Sequence, residues 1–336
     1  RALELPVQSI FSGPAASVMG ILATSPASED MLMLDIGGTT SDIALFAGGE
    51  PLLEREGIAI EDRPTLVRAI HVESIGIGGD SLIKVENGLV KTGPDRLGPC
   101  MAMGGSAPSL MDALNVLGLA SFGEVKRSKQ GIEQLAATQP MAPEELATKA
   151  VDAAINAIAA KIEALVKMVN TKPVYTIHEI LEDREIRPQK LIVIGGPAPV
   201  FQELLAKKLG IAVEVPPLHG VANAVGAALT RTTSHLALSA NTARGKLSVP
   251  MLGIFRSIGR GFSLQDATDE ARKLLVDDLA QAGISMDAAE IQITQADAFN
   301  MVEGSYTSGK NIRVVAQVKP AVVARLAGDT IPVQTV

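Results

Sequence analysis

Met31-Leu-Met-Leu-Asp35-Ile-Gly37-Gly38-Thr39-Thr40-Ser-Asp42-Ile-Ala-Leu45 is the stretch that decides how this chain folds. An apolar run ends in an acid, two glycines and two hydroxyls, and a second alternating run follows at once. The pattern predicts a strand, a tight turn and an antiparallel return strand. Two adjacent glycines carry no Cβ, so backbone N–H groups can approach an anion in a nest-like concavity. Thr39 and Thr40 add hydroxyl donors. Asp35, at the strand's end, is placed to hold a hydrated Mg²⁺, an ion usually bound by one or two carboxylates plus phosphate oxygens. A Gly-Gly pair alone is commonly just a hairpin turn. The whole Asp-x-Gly-Gly-Thr-Thr-x-Asp string behind an apolar strand reads better as a phosphate loop, because each residue type has a role there.

The rest of the chain sets the frame around that loop. Its 336 residues suggest two domains, and 47% hydrophobic content is enough for a sizeable core. The 30 Lys and Arg are scattered and the formal charge is −7, which argues against a nucleic-acid partner. No run of about 18 apolar residues implies a transmembrane helix. The start carries no basic-then-apolar signal. A single cysteine, Cys100, excludes an intrachain disulfide, and a reducing cytoplasm is the expected compartment.

Ser12 is a natural N-cap, and Pro14 in the first turn favours a helix to about Ala23. Strands are expected at about 31–36, 42–47 and 51–58. Leu82–Lys91 holds Asn87-Gly88 between alternating runs, a strong hairpin signal. Gly93–Pro108 reads as loop, and Pro143–Val169 as a long amphipathic helix. Leu191-Ile-Val-Ile is a buried-type strand running into Gly195-Gly196-Pro197, then a helix over about 199–208. Ile211–Val215 is a short strand, and a small-residue helix covers 221–229. Strand, glycine turn and helix recur, which suits an α/β layer with ligands at the strand ends. Beyond about residue 240 a charged helix over Asp266–Gly283 and strands at 290–294 and 310–318 suggest a small α+β unit. Its Ser305–Lys310 link reads as a Gly/Ser turn. The expected division is therefore 1–240 and 241–336.

Asp35-Ile-Gly-Gly-Thr-Thr-Ser-Asp42 resembles the phosphate loop of the actin, hexokinase and heat-shock-chaperone ATPase superfamily. Ser12-Gly-Pro-Ala-Ala-Ser-Val18, Gly76-Ile-Gly-Gly-Asp-Ser81 and Pro108-Ser-Leu-Met-Asp112-Ala-Leu-Asn-Val-Leu-Gly118 follow in the order seen in the hydantoinase A/5-oxoprolinase family. The resemblance covers about residues 5–120, extends from Gly195-Gly196 through Gly226, and is faint past 240. It implies an α/β, actin-like ATPase (ribonuclease H-like) lobe followed by a small α+β domain. The implied ligands are ATP and Mg²⁺. Asp35 would contact the metal through water, with Asp35 and Thr39 as catalytic candidates. Gly37, Gly38, Thr39, Thr40, Gly78, Gly79, Gly195, Gly196 and Pro197 would bind nucleotide, the last three as the adenosine-contacting turn. The implied activity is ATP-dependent opening of a cyclic amide such as a hydantoin or 5-oxoproline. The alternative is a non-catalytic nucleotide-binding or assembly subunit.

In the resembled family an earlier lobe carries another Asp-x-Gly-Gly-Thr loop. The opening at Arg1, which enters directly into a mid-protein motif, reads as the C-terminal portion of something larger. The implied partners are a small cyclic amide, an upstream lobe or partner subunit, and further copies in an oligomer. Nucleic acid and membrane are not among them. Asp80 stands where the family usually has a third glycine; it would either add a metal contact or weaken the phosphate site by repulsion. His71 and His219 are general-base candidates by their titration range, although a lone histidine is more often structural. Asp112 matches a family aspartate but also suits a helix N-terminus. Cys100 fits a buried small hydrophobe as readily as a chemical role.

Overall fold

The structure is a computed structural model that describes residues 12–25, 29–54, 57–60, 63–65, 67, 69–171, 185–326 and 333–335. The expected entry through 5–11 and residues 55–56 of the expected third strand lie outside them. The chain divides into two compact units, Arg1–Leu229 with Val322–Val336, and Thr230–Ala321.

In the first unit, helix α1 (Ser12–Thr24) leads into β1 (Met31–Ile36) and β2 (Ser41–Ala47), which pair antiparallel. On its far side β2 pairs with β3 (Glu50–Pro51) and with β4 (Val72–Ile75). A separate hairpin joins β5 (Ile83–Glu86) to β6 (Leu89–Thr92) through Asn87 and Gly88, both at positive φ, as a two-residue primed turn requires. Helices α2 (Leu110–Val116), α3 (Val125–Ala136) and α4 (Pro143–Thr171) follow. Strand β7 (Lys190–Ile194) then adds to β1 in parallel, helix α5 (Ala198–Leu209) crosses over, and β8 (Ala212–Glu214) pairs parallel to β7. Helix α6 (Ala222–Leu229) closes the run. The sheet order is β8-β7-β1-β2-β3, with parallel pairing on one side of β1 and antiparallel on the other.

Strands β1 and β7 lack polar alternation because both faces are covered. Leu32, Leu34, Ile36, Leu191 and Val193 join Ile155, Ile158 and Ile162 of α4 in one core. Met31, Met33, Ile192 and Ile194 join Val18, Ile21 and Leu22 of α1, and Ala222 of α6, in the other. The period of two along each strand thus feeds two cores and makes three layers. Helices α1 and α6 pack so closely that a Cβ at Gly226 would come within 1.8 Å of the Ala16 carbonyl oxygen.

The expected strand over 51–58 is not continuous. β3 ends at Pro51, although Leu52 N–H still donates to Leu45 O of β2 at 3.0 Å, and from there the chain turns to the 67–71 segment, with Leu53 in an isolated bridge to Ile70 and Leu52 O accepting from His71 N–H at 2.8 Å. Helix α3 was not expected. Its buried positions are Ser128, Gly131, Ile132 and Ala136, too small and polar to show an apolar stripe.

The second unit is a five-stranded antiparallel sheet with one helix. Strands β9 (His235–Asn241), β10 (Lys246–Val249) and β11 (Ile254–Ser257) precede helix α7 (Leu264–Gln281), and a long hairpin of β12 (Ile291–Glu303) and β13 (Tyr306–Val318) ends it. The order is β11-β10-β9-β13-β12. Ala267, Ala271, Leu275 and Leu279 of α7 cover Leu236, Leu238, Ile312, Val314 and Ala316. The boundary expected near 240 falls instead at 229/230, because residues 235–241 form the central strand of this sheet. Residues 322–326 return to the first unit, where Val322 joins its second core. The expected 305–310 turn is shorter, since Tyr306 already pairs with Glu303. Among the described residues no helix is long and apolar enough to cross a membrane.

Candidate functional site

Three glycine turns meet at the ends of β1 and β7. In the loop after β1, Gly37 N–H donates to the Thr40 carbonyl at 2.9 Å. The 76–81 loop then docks on this turn: Gly79 N–H donates to Gly37 O at 3.0 Å and Asp80 N–H to Gly38 O at 2.7 Å. A planar trans peptide holds its C=O and the next N–H antiparallel. With the Gly37 and Gly38 carbonyls turned toward 79–80, the N–H groups of Gly38 and Thr39 therefore point the opposite way. Gly38, Thr39 and Thr40 are exposed. The turn offers donors to an anion as a nest does. No side chain fits at Gly78, where a Cβ would lie 2.6 Å from the Gly37 and Gly38 oxygens.

The third turn, Gly195-Gly196-Pro197, lies against the same place. Gly195 has φ +101, and a Cβ there would meet Ile36 O at 2.1 Å and Asp35 Oδ1 at 3.1 Å. His219 clamps this turn twice: its carbonyl accepts from Gly195 N–H at 2.9 Å, and its Nδ1 lies 2.9 Å from Gly195 O. To bond a carbonyl Nδ1 must carry the proton, so in the neutral ring Nε2 is the basic nitrogen.

Asp35 is half-buried at the end of β1 and faces Asp42 directly across the β1–β2 ladder. Burial raises its pKa, Ser17 lowers it through a 2.6 Å hydrogen bond from Oγ, and the charge of Asp42 raises it again. Ser74 Oγ donates to Asp42 Oδ1 at 2.5 Å. Two facing carboxylates are a poor arrangement without a cation and a suitable one for a hydrated divalent ion. Among the described residues no group of three or more His, Cys, Asp or Glu gathers to make an all-protein metal cage. The residues present fit Mg²⁺, which needs few protein ligands.

Ser17 was missed at the sequence level. It is a fully buried hydroxyl in the apolar helix α1, and Asn223 of α6 donates to its Oγ at 3.3 Å and to Gly13 O at 3.2 Å. The segment 219–223 thus braces both the Gly195 turn and, through Ser17, Asp35. Ser17→Ala should raise the Asp35 pKa further, because the one interaction lowering it is lost. If ionised Asp35 is needed for Mg²⁺-dependent turnover, the acid limb of the pH–rate profile moves to higher pH, while the plateau falls less than about tenfold. An acid limb at its original position would remove Asp35 from that role.

Other candidates have structural duties. Asp80 does not stand uncompensated beside the loop. It accepts from Arg96 Nη2 at 2.8 Å and from Cys100 N–H at 2.9 Å, so a guanidinium offsets its charge near Gly38. His71 is held between Glu54 at Nδ1 and Glu73, 3.6 Å from Nε2, at the end of β4 away from the phosphate turn. The Cys100 thiol is buried, and burial, then Asp112 and Asp80, push its pKa up, which disfavours a reactive thiolate.

Asp112 is fully buried and accepts five hydrogen bonds, from the N–H groups of Met101, Ala102 and Ser109 and the hydroxyls of Ser109 and Ser128. It caps α2 and ties down the 99–105 loop. Asp112→Ala should cost roughly 3–5 kcal/mol, since several buried donors lose their partner at once. Urea unfolding reads this as a lower midpoint, and a loss under about 1 kcal/mol would contradict it.

Sheet order and turn geometry together define a mixed α/β lobe of the actin-like ATPase fold. The nucleotide-free structure of acetone carboxylase shares it: TM-score 0.55 at 18% identity, over 95% of this chain and 52% of that one. The chain belongs to the hydantoinase/oxoprolinase family, whose sequence profile matches residues 1–235. It is 26% identical over 224 residues to caprolactamase subunit alpha of Pseudomonas jessenii, covering 64% of this chain and 31% of that one. It is 24% identical over 228 residues to 5-oxoprolinase 1 of Arabidopsis thaliana, covering 61% and 18%. The chain thus spans less than a third of either relative's length.

Proposed function

We propose that this chain supplies one lobe of the nucleotide cleft of an ATP-dependent enzyme that opens a cyclic amide. The observation that carries the reading is the convergence of the three glycine turns on Asp35. The N–H groups of Gly38 and Thr39, with the hydroxyls of Thr39 and Thr40, hold phosphate oxygens. Asp35, and Asp42 beside it, take the metal side. Gly196, exposed and without a side chain, and Pro197 offer a surface for the purine. Bound Mg²⁺ would neutralise charge developing on the transferred phosphoryl group. In the reaction the γ-phosphoryl passes to the ring carbonyl oxygen and ADP leaves. Water then attacks the activated carbon, the ring C–N bond breaks, and phosphate departs. The lobe contributes positioning and fixed dipoles, which dominate phosphoryl transfer. The substrate class is inferred from the relatives caprolactamase subunit alpha and 5-oxoprolinase 1.

The test is calorimetric titration of Mg-ATP into this chain and into the longer protein with an upstream lobe. One lobe cannot enclose a triphosphate, so the chain alone should bind with a Kd of about 0.1 mM or weaker and show no ring opening. The longer protein should bind at least about tenfold tighter and turn over. Robust ring opening by the 336-residue chain would refute the one-lobe reading. Tight binding by both without turnover would favour the nucleotide-binding or assembly subunit instead.

A further inference from the structure

The second unit contains an open cavity of about 550 Å³ lined entirely by its own residues. Arg231, Arg272 and Lys319 border it together with a single carboxylate, Glu290, leaving an excess of positive charge. Arg231 Nη1 lies 2.7 Å from Glu290 Oε1, so those two charges offset each other. Arg272 differs. Its Nε is buried and has no hydrogen-bond partner among the described residues. On its own helix the residues four before and four after are Thr268 and Val276, neither of them a carboxylate, and Asp269, one turn back, accepts from Gln265. A sealed, unpaired guanidinium N–H is an uncommon and unfavourable state that calls for a partner.

We propose that this cavity binds a small oxyanion-bearing molecule, a carboxylate or a phosphate, on Arg272. A modest rotation of the guanidinium turns Nε–H and a terminal N–H into the cavity as a planar fork, the geometry that grips an oxyanion through two parallel hydrogen bonds. Lys319 at the border adds attraction. Ile291 and Ile293, on the start of β12, give the carbon part of the ligand an apolar wall. Glu290 tunes the site from within, since its carboxylate opposes an incoming anion and occupies Arg231. The site stands independently of the nucleotide reading, because no residue of the three glycine turns takes part.

The experiment follows the arginine Nε–H resonances of the ¹⁵N-labelled chain during separate titrations with inorganic phosphate and with succinate in low-salt buffer. One Nε–H signal, identified by its loss in Arg272→Lys, should shift saturably with at least one of the two anions. The anion that binds tighter identifies the ligand's headgroup. Arg272→Met keeps the apolar stem and should weaken binding roughly ten- to a hundredfold, as removal of a charge-assisted fork does. Glu290→Gln should tighten it, a gain that misfolding cannot produce. Absence of a saturable shift with both anions up to about 20 mM, weaker than any useful affinity, would overturn the proposal. Equal binding by Arg272→Met, or no gain in Glu290→Gln, would overturn it as well.

Discussion

Asp35→Ala should reduce Mg²⁺-dependent turnover of the complete enzyme by about 10³-fold or more while leaving the fold intact. A lost metal contact removes several kcal/mol of transition-state stabilisation, and each 1.4 kcal/mol or so is a factor of ten. The structure sharpens the stability half of this expectation. Asp35 is half-buried, and burial outweighs the Ser17 hydrogen bond in setting its pKa above the ordinary carboxylate value. Between the unfolded and folded pKa values the folded chain therefore binds more protons than the unfolded one, and stability falls as pH rises through that window. Near neutral pH the ionised Asp35 opposes folding. Its removal relieves that cost and the repulsion from Asp42, against the loss of one hydrogen bond. Thermal unfolding should shift little in either direction, and turnover should collapse. Turnover within about tenfold of wild type would eliminate Asp35 from the chemistry.

Gly195→Ala should be severe in a different way, damaging both fold and site. At φ +101 an alanine is strained by about 1–3 kcal/mol. Its Cβ would also sit 2.1 Å from the Ile36 carbonyl oxygen, a distance no rotamer change relieves because the atom is backbone. The β7 turn must move away from β1, carrying the His219 clamp and the neighbour of Asp35 with it. Nucleotide affinity of the complete protein should fall by at least roughly 100-fold, since positioning is lost along with contact. Gly196→Ala is the internal control. Nothing lies within 4 Å of a Cβ there and its φ is not in the left-handed region, so stability should change by less than about 0.5 kcal/mol. If the exposed face of Gly196 receives the purine, that variant should weaken Mg-ATP binding without lowering the unfolding midpoint. Near-wild-type stability for Gly195→Ala, read by urea unfolding, would contradict the packing argument.

The phosphate turn was legible because each position in it answers to one demand. An apolar strand buried on both faces, two residues without Cβ and a terminal acid leave few alternatives, and β1 and β2 form where the pattern places them. The α4 helix and the β7 turn were readable for the same reason, through long periodicity or a run of β-branched residues. Strand β9 was not, although Leu236, Leu238 and Ala240 alternate as a half-buried strand should. Its pairing partner, β13, lies some seventy residues later, and local pattern says nothing about which sheet a strand will enter.

The sequence alone therefore determined the strand–turn–strand chemistry around Asp35, the layered α/β character of the first unit and the family. Those features depend on residue type and short-range period, which the chain carries openly. Tertiary structure decided everything that depends on distance through space. It brought Ser17 to Asp35 across 18 positions and laid the 76–81 loop on Gly37 and Gly38. It set an arginine beside Asp80 and left the Nε of Arg272 buried with no hydrogen-bond partner among the described residues. A side chain's role follows from what packing places within hydrogen-bond reach, and that contact is made by residues the local sequence does not name.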